Sequence, residues 1–364
     1  MQLDILEYPI VIDDDIAPYL SRFVAERGVR QAIVLADLNV EERATQLART
    51  IAIGRGRRPR VLTFRLGERR KRLASAERVL DGLAANGAER STLVVGVGGG
   101  VAHDLFGLAA ALYMRGVPYV AVATTLVAMA DAAIGGKTGV DLAAGKNLAG
   151  TFTDPIGVFC DLRALGTLRK KHLREGLAEI IKVAVIGGDG AFERIELFAE
   201  LPLAEWPWME IVEQAARTKA DIVREDRRES GARALLNLGH TFAHAIELVS
   251  KYRISHGEAV AIGLRAAGLL ALRNGSFNAV DHARVVSLLE RIGLPVASSR
   301  LSVDRLAEAM LRDKKSRDGG MRFVVPRAIG DVEYGVGATR RALRSVLVRL
   351  GEPPGPNERV RILG

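Results

Sequence analysis

Residues 92–126 read TLVVGVGGGVAHDLFGLAAALYMRGVPYVAVATTL. A β-branched apolar run ends here in glycine, a helical stretch rich in Leu and Ala follows, and a second β-branched run closes the segment. Strand, helix and strand in succession point to parallel strands joined by a helix that packs on their sheet. The alternation continues on both sides: YPIVID, QAIVLAD and RVLTFRL come before, IGVFCDL comes after, and helical stretches such as DIAPYLSRFVAER and ERRKRLASAERVLDGLAANG lie between. An α/β domain with a mainly parallel sheet is therefore predicted for residues 1–167, and ligands of such sheets bind at the carboxyl ends of the strands.

At one such end stand Gly96, Gly98, Gly99 and Gly100. Glycine at a strand-to-helix turn lets a phosphate approach backbone N–H groups at the helix start. Val101 occupies the last position of the G-x-G-x-x-G pattern, so a tight structural turn accounts for these residues equally well. Further on, ATTLVAMADAAIGGKTGVDLAAGKNLAG (123–150) reads as a long loop with little regular structure. It carries Thr124, Thr125, Asp131, Lys137, Lys146 and Asn147. Lysine charge beside glycine backbone donors suits an anion site.

After residue 167 the pattern turns helical, interrupted by one strand pair, MRFVVP with DVEYGV, and ending in a Pro/Gly-rich tail. In ARALLNLGHTFAHAIELVSKYRISHGEAV (232–260), Arg233, Asn237, His240 and His244 recur at steps of four, three and four. That periodicity predicts one polar stripe on an otherwise apolar helix, facing a ligand, a metal or a wet cleft. His256 opens the next helical run, and two histidines on adjacent helix ends suit a zinc-type site. Glu179 and Lys182, three apart in GLAEIIKVAVI, form either a neutralising intrahelical pair or a further piece of this site, with Glu179 as third ligand. Three protein ligands leave coordination positions open, the catalytic arrangement. Lys219, isolated in ARTKADIV, reads as a surface residue.

The chain has 364 residues, 48% of them hydrophobic, with 52 basic against 43 acidic side chains and a formal charge of +9. The arginines are scattered over helical stretches without aromatic interleaving, which favours a solvated basic surface or anionic small substrates over nucleic acid. No run approaches the roughly 18 apolar residues of a membrane helix, and the N-terminus lacks a leader pattern, so no membrane association and a cytoplasmic location are expected. A single cysteine, Cys160, excludes an internal disulfide or a Cys-cluster metal site and reads as a buried thiol.

Together, the motifs GGG-x3-D, YMRG, TTL with GGKT, GKN, GLAE-x2-K, LLNLGHTF-x-HAIE, HGEAV and DKK-x4-G-x-RFV make the chain resemble the 3-dehydroquinate synthase family of sugar phosphate cyclases, from about residue 9 to residue 330. The resemblance implies an NAD-binding α/β domain (1–167) and a helical metal- and substrate-binding domain (168–364) with the active site between them, in a homodimer. On matched positions, Glu179, His240 and His256 would hold Zn2+ or Co2+. NAD would meet Asp37, Glu68 and Lys71, then Gly99, Gly100 and Asp104, then Thr124, Thr125 and Lys146. Asp131, Lys182, Lys219, Arg233, Asn237 and His244 would serve catalysis, while Arg115, Lys137, Asn147, Lys314 and Lys315 would bind a small anionic sugar phosphate. Lys219 is thus reassigned from the surface to the site.

The implied reaction converts 3-deoxy-D-arabino-heptulosonate 7-phosphate to 3-dehydroquinate and phosphate, a step of the shikimate pathway. Three positions depart from the family's pattern: Asp141 stands where Asn is usual, His103 replaces a small residue in GGGVAHD, and TFTDP replaces AF-[HY]-x-P. They leave open a relative acting on an aminated analogue or on sedoheptulose 7-phosphate. A glycerol dehydrogenase-like oxidation is disfavoured, because such relatives carry Asp at the first metal position and lack the late lysine pair. A non-enzymatic basic binding protein would show degraded metal and lysine positions.

Overall fold

A computed structural model of the chain describes residues 1–188, 190–313 and 321–359. Two compact units emerge: Met1–Arg169 together with Trp208–Arg224, and Lys170–Pro207 together with the chain from Glu225 onward.

The first unit is built on β1 (Gln2–Leu3), β2 (Ile10–Asp13), α1 (Ala17–Glu26), β3 (Ala32–Asp37), α2 (Glu41–Thr50), β4 (Arg60–Phe64), α3 (Leu73–Ala85), β5 (Leu93–Gly98), α4 (Gly100–Leu112), β6 (Tyr119–Ala123), β7 (Lys137–Leu142), β8 (Gly145–Phe152) and β9 (Gly157–Asp161). Its main sheet has the order β1-β2-β9-β6-β5-β3-β4. All pairings are parallel except the edge pair β1–β2, as the strand–helix alternation predicts. Every residue of β5 is buried, the expected state of a central strand covered on both faces. On one face Val34, Val95, Val97, Val122 and Phe159 pack against Leu20, Phe23 and Val24 of α1 and Ala44 and Leu47 of α2. Phe23 and Phe159 meet edge to face at 5.4 Å.

The stretch after β6 is more ordered than its glycine content suggests. A π-helical turn covers Ala128–Ala132, and β7 and β8 form an antiparallel hairpin in place of the expected loop. The small residues serve close packing: a Cβ on Gly107 of α4 would sit 2.5 Å from Thr138 Cγ2, and one on Gly150 would sit 2.1 Å from the Thr138 carbonyl. Glycine density here records backbone proximity as well as turns.

The second unit starts with α5 (Lys170–Gly187) and α6 (Ala191–Phe198). The next helix, α7 (Trp208–Glu225), belongs with the first unit up to Arg224, although it follows residue 167. Its buried residues, Ile211, Val212, Ala215, Ala216, Lys219, Ala220 and Val223, form one stripe at helical spacing. Lys219 lies in that stripe and is 4% exposed, which corrects its reading as a surface residue.

The second unit continues with α8 (His240–Val249), α9 (His256–Arg273), α10 (Ala279–Arg291), α11 (Val303–Asp313), the antiparallel pair β10 (Arg322–Ala328) and β11 (Asp331–Gly337), and α12 (Arg340–Arg349). Helix α9 is buried on nearly every side, with α5, α8, α10, α12 and β10 packed around it. Fully buried Arg265 lies within it, donating from Nε to Glu358 (2.8 Å) and from Nη1 to the carbonyls of Val296 (3.1 Å) and Glu352 (2.9 Å). The Pro/Gly-rich tail is thereby docked as far as it is described. No helix among the described residues is long and apolar enough to cross a membrane.

Candidate active site

The expected single helix carrying Arg233, Asn237, His240 and His244 is broken. Ala232–Asn237 is a 3-10 turn, and α8 begins only at His240, after Gly239 in the left-handed region (φ 77°). The break follows from close packing on α9: a Cβ on Gly239 would lie 2.9 Å from the Leu264 nitrogen, and one on Gly263 would lie 2.3 Å from the Gly239 carbonyl. Left-handed backbone and contact at that distance both require glycine. Arg233 and Asn237 therefore sit on a separate element from the histidines. Arg233 is fully buried and donates from Nη1 to the Arg227 carbonyl (2.6 Å), and Asn237 donates to Glu229 (2.6 Å).

His256 owes its place to the rest of HGEAV. Ser255 caps α9, with the Glu258 carboxylate accepting from both the Ser255 N–H (2.8 Å) and its hydroxyl (2.9 Å). Gly257 allows contact with α5, since a Cβ there would lie 2.3 Å from the Glu175 carbonyl. With the start of α9 held against α5, His256 Nε2 lies 2.9 Å and His240 Nε2 3.5 Å from Glu179 Oε1. The three residues offer ligand atoms that all lie within 4.8 Å of one another.

Lys182 and Glu179, both fully buried, pair at 2.7 Å. Burial works against the Glu179 charge, but the Lys182 ammonium and both imidazoles overcome it and hold the carboxyl well below its usual range. Burial and the Lys182 charge push the His240 imidazole below its ordinary range. His256 moves the opposite way: burial is outweighed by hydrogen bonds to Glu179 and Glu247, and its pKa rises to about 10. A proton on His256 thus supplies positive charge at a donor set that a divalent cation would neutralise instead. The ring of His244 stands 5.5 Å from that of His240.

In the first unit, Asp37, Gly98–Gly100 and Thr124–Thr125 stand at the carboxyl ends of β3, β5 and β6, whereas Arg115 precedes β6. Gly98–Gly100 form the turn from β5 into α4, whose start has no side-chain cap. A Cβ on Gly98 would lie 3.5 Å from Asp37 Cβ, and one on Gly99 would lie 3.1 Å from Thr125 Cγ2, so Asp37 and Thr125 flank the turn. Thr124 Oγ1 is buried without a hydrogen-bond partner among the described residues. Lys71 reaches Asp104 (2.5 Å) and Asn147 (2.5 Å), and Lys146 reaches Glu68 (2.5 Å). Lys219 Nζ donates to the Asp131 carbonyl (2.9 Å) and pairs with its carboxylate. Arg115 is exposed in a left-handed segment (φ 67°), and Lys137 opens β7. Lys314 and Lys315 lie outside the described residues.

Asp141 performs a turn role. Its Oδ1 accepts the Asn147 N–H (2.9 Å), supporting Asn147 in a left-handed conformation (φ 54°). Cys160 is buried, and burial pushes its thiol up to about 12, as an unreactive core residue requires. Two further carboxylates border these residues, Glu229 beside Asn237 and Glu247 beside His256. Glu247 stands seven residues after His240 in an apolar helix, a spacing that places it on the same face; nothing in the loop sequence marks Glu229.

The pattern of the 3-dehydroquinate synthase N-terminal domain matches residues 61–175, and that of the 3-dehydroquinate synthase C-terminal domain matches residues 176–316. The chain belongs to the 3-dehydroquinate synthase family. A 3-dehydroquinate synthase from Pelobacter propionicus is 40% identical over 89% of this chain and 91% of its own length. Another from Prochlorococcus marinus is 38% identical over 94% of each. Among solved structures, 2-epi-5-epi-valiolone synthase from Streptomyces hygroscopicus subsp. jinggangensis, with NAD+ and Zn2+ bound, is similar at a TM-score of 0.83 and 28% identity, covering 96% of this chain and 98% of that one. Membership in the 3-dehydroquinate synthase family agrees with the fold of each unit.

Proposed function

We propose that this chain catalyses the 3-dehydroquinate synthase reaction, closing 3-deoxy-D-arabino-heptulosonate 7-phosphate to 3-dehydroquinate with loss of phosphate. The observation that carries the reading is the convergence of Glu179, His240 and His256 beside buried Lys182, in a chain of this family. One carboxylate and two imidazoles are the donor set of an open catalytic zinc site and fit Zn2+ or Co2+. The glycine turn fits the NAD pyrophosphate, and buried Thr124 Oγ1 offers it a polar partner. When bound, NAD supplies reversible hydride acceptance and the divalent ion supplies Lewis acidity toward substrate hydroxyls.

The chain's own residues bind, orient and move protons. Arg115, Lys137, Asn147 and the late lysines 314 and 315 hold the phosphate and carboxylate of the substrate, and Lys182, Lys219 and Arg233 add positive charge where anionic character develops. Asp131 fixes the ammonium of Lys219, and Glu229 orients Asn237. His244 is the proton relay for phosphate departure. Ring closure then needs a flexible open chain held in one conformation, which is a positioning task. A cytoplasmic homodimer is part of the same reading.

With NAD, zinc and the heptulosonate phosphate, the purified protein should release phosphate without net NADH. Stoichiometric NADH would replace this reading with a dehydrogenase, and faster turnover of sedoheptulose 7-phosphate in a parallel assay would move it to a secondary-metabolic cyclase. His256→Ala should lose zinc on dialysis, measured by atomic absorption, while strand and helix signals of the first unit persist. Full zinc occupancy in that variant would refute the ligand set.

A further inference from the structure

His103 is 2% exposed and enclosed in the first unit. Its Nε2 lies 3.1 Å from the Gly98 carbonyl and its Nδ1 lies 2.8 Å from the Tyr119 hydroxyl. A carbonyl can only accept, so Nε2 carries the proton. In the neutral ring Nδ1 then accepts from Tyr119. Burial supports the neutral form, pushing the imidazole down to about 4 against the carbonyls of Gly98 and Val122. Gly96 completes the arrangement: a Cβ there would lie 2.6 Å from the Tyr119 hydroxyl and 2.8 Å from its ring.

The Gly98 carbonyl also accepts the Thr124 N–H from the end of β6 at 3.0 Å. Two donors therefore fix the last peptide of β5, one from the neighbouring strand and one from the first turns of α4. The next residues, Gly99 and Gly100, are the uncapped start of that helix. Rotation of the Gly98 peptide would re-aim the backbone donors that follow it, and glycine offers little torsional resistance of its own.

We propose that His103 is a positioning residue for the dinucleotide: with Tyr119 it locks the Gly98 carbonyl and so sets the glycine turn that receives the pyrophosphate. The proposal rests on the reading of that turn as the NAD site. A preset turn lowers the ordering cost of binding.

Two measurements test it. By calorimetric titration of NAD into the zinc-loaded protein, His103→Ala should bind about tenfold more weakly than wild type, as expected for one lost buried hydrogen-bond pair. His103→Gln, which keeps one donor and one acceptor, should recover most of the affinity. Tyr119→Phe removes a single hydroxyl and leaves packing intact, and should weaken NAD by roughly threefold. Independently of NAD, amide exchange of residues 98–101 should be faster in His103→Ala than in wild type, at unchanged exchange in β3. Wild-type NAD affinity in a folded His103→Ala protein overturns the proposal, and so does unchanged exchange at the turn. Wild-type protein that fails to bind NAD overturns the cofactor reading instead, while the exchange arm still decides whether His103 locks the turn.

Discussion

Glu179→Gln should leave the protein unable to retain a divalent ion and reduce phosphate release by roughly 10³-fold, since a Lewis-acid site contributes several kcal/mol to a barrier. The amide keeps the shape of the side chain and removes its charge. In the folded protein that charge is fully buried and shared, facing Lys182 at 2.7 Å, His256 at 2.9 Å and His240 at 3.5 Å. Without it, Lys182 is an enclosed cation beside two imidazoles. Removing one partner of a buried ion pair costs about 3–5 kcal/mol, so the metal-free variant should also melt well below wild type. Atomic absorption after dialysis, phosphate release and a thermal melt report the three effects separately. Full metal occupancy together with wild-type turnover would sink the assignment of Glu179 as a ligand.

The second large effect lies at the end of the chain. Glu358 is 3% exposed and accepts from Arg265 through both oxygens (2.8 and 3.2 Å), with Arg349 and His282 on the same carboxylate. Glu358→Ala leaves the Arg265 guanidinium buried with, among the described residues, the Val296 and Glu352 carbonyls, and about 3–5 kcal/mol should be lost. For a unit of this size that corresponds to a fall in Tm of roughly 10 °C. A double variant, Arg265→Met with Glu358→Met, removes both charges and should recover much of the loss, because the desolvation penalty disappears with the pair. Equal melting of Glu358→Ala and wild type would show that the tail is not held by this pair.

The same carboxylate predicts acid sensitivity. Burial opposes its charge, but His282, Arg265 and Arg349 more than compensate and lower its pKa from the ordinary 4.5. A group depressed in the folded state contributes stability above its unfolded pKa. That contribution is lost as pH falls below about 4.5, and denaturant midpoints at pH 6 and pH 3.5 should differ less in Glu358→Gln than in wild type.

How much of this was legible in the sequence depends on range. The strand runs, the helical second half and the MRFVVP–DVEYGV pair follow from local periodicity and stand where it puts them. Glu179, His240 and His256 stand out because titratable groups beside apolar helical runs demand a partner. Lys219 could not be read locally: one lysine in an amphipathic helix looks solvated until the partner element carrying Asp131 is known. The break at Gly239 has a related cause. The α-helical spacing is genuine only from His240 onward; Arg233 and Asn237 lie in a 3-10 turn, and the left-handed residue between the two elements answers to the backbone of the following helix, α9.

By itself, then, the sequence determined the parallel α/β unit, the helical unit and the residue types of a metal and anion chemistry, because hydrophobic period and buried polar groups act over a few residues. Only the tertiary structure decided that the polar stripe is two elements, that residues 123–150 include a hairpin, that α7 joins the first unit, and that His103 lies under the Gly98 turn. The first two outcomes depend on which backbones approach closely, and glycine permits such contact without announcing its partner; the last two depend on side chains, Lys219 and His103, whose partners lie on other elements.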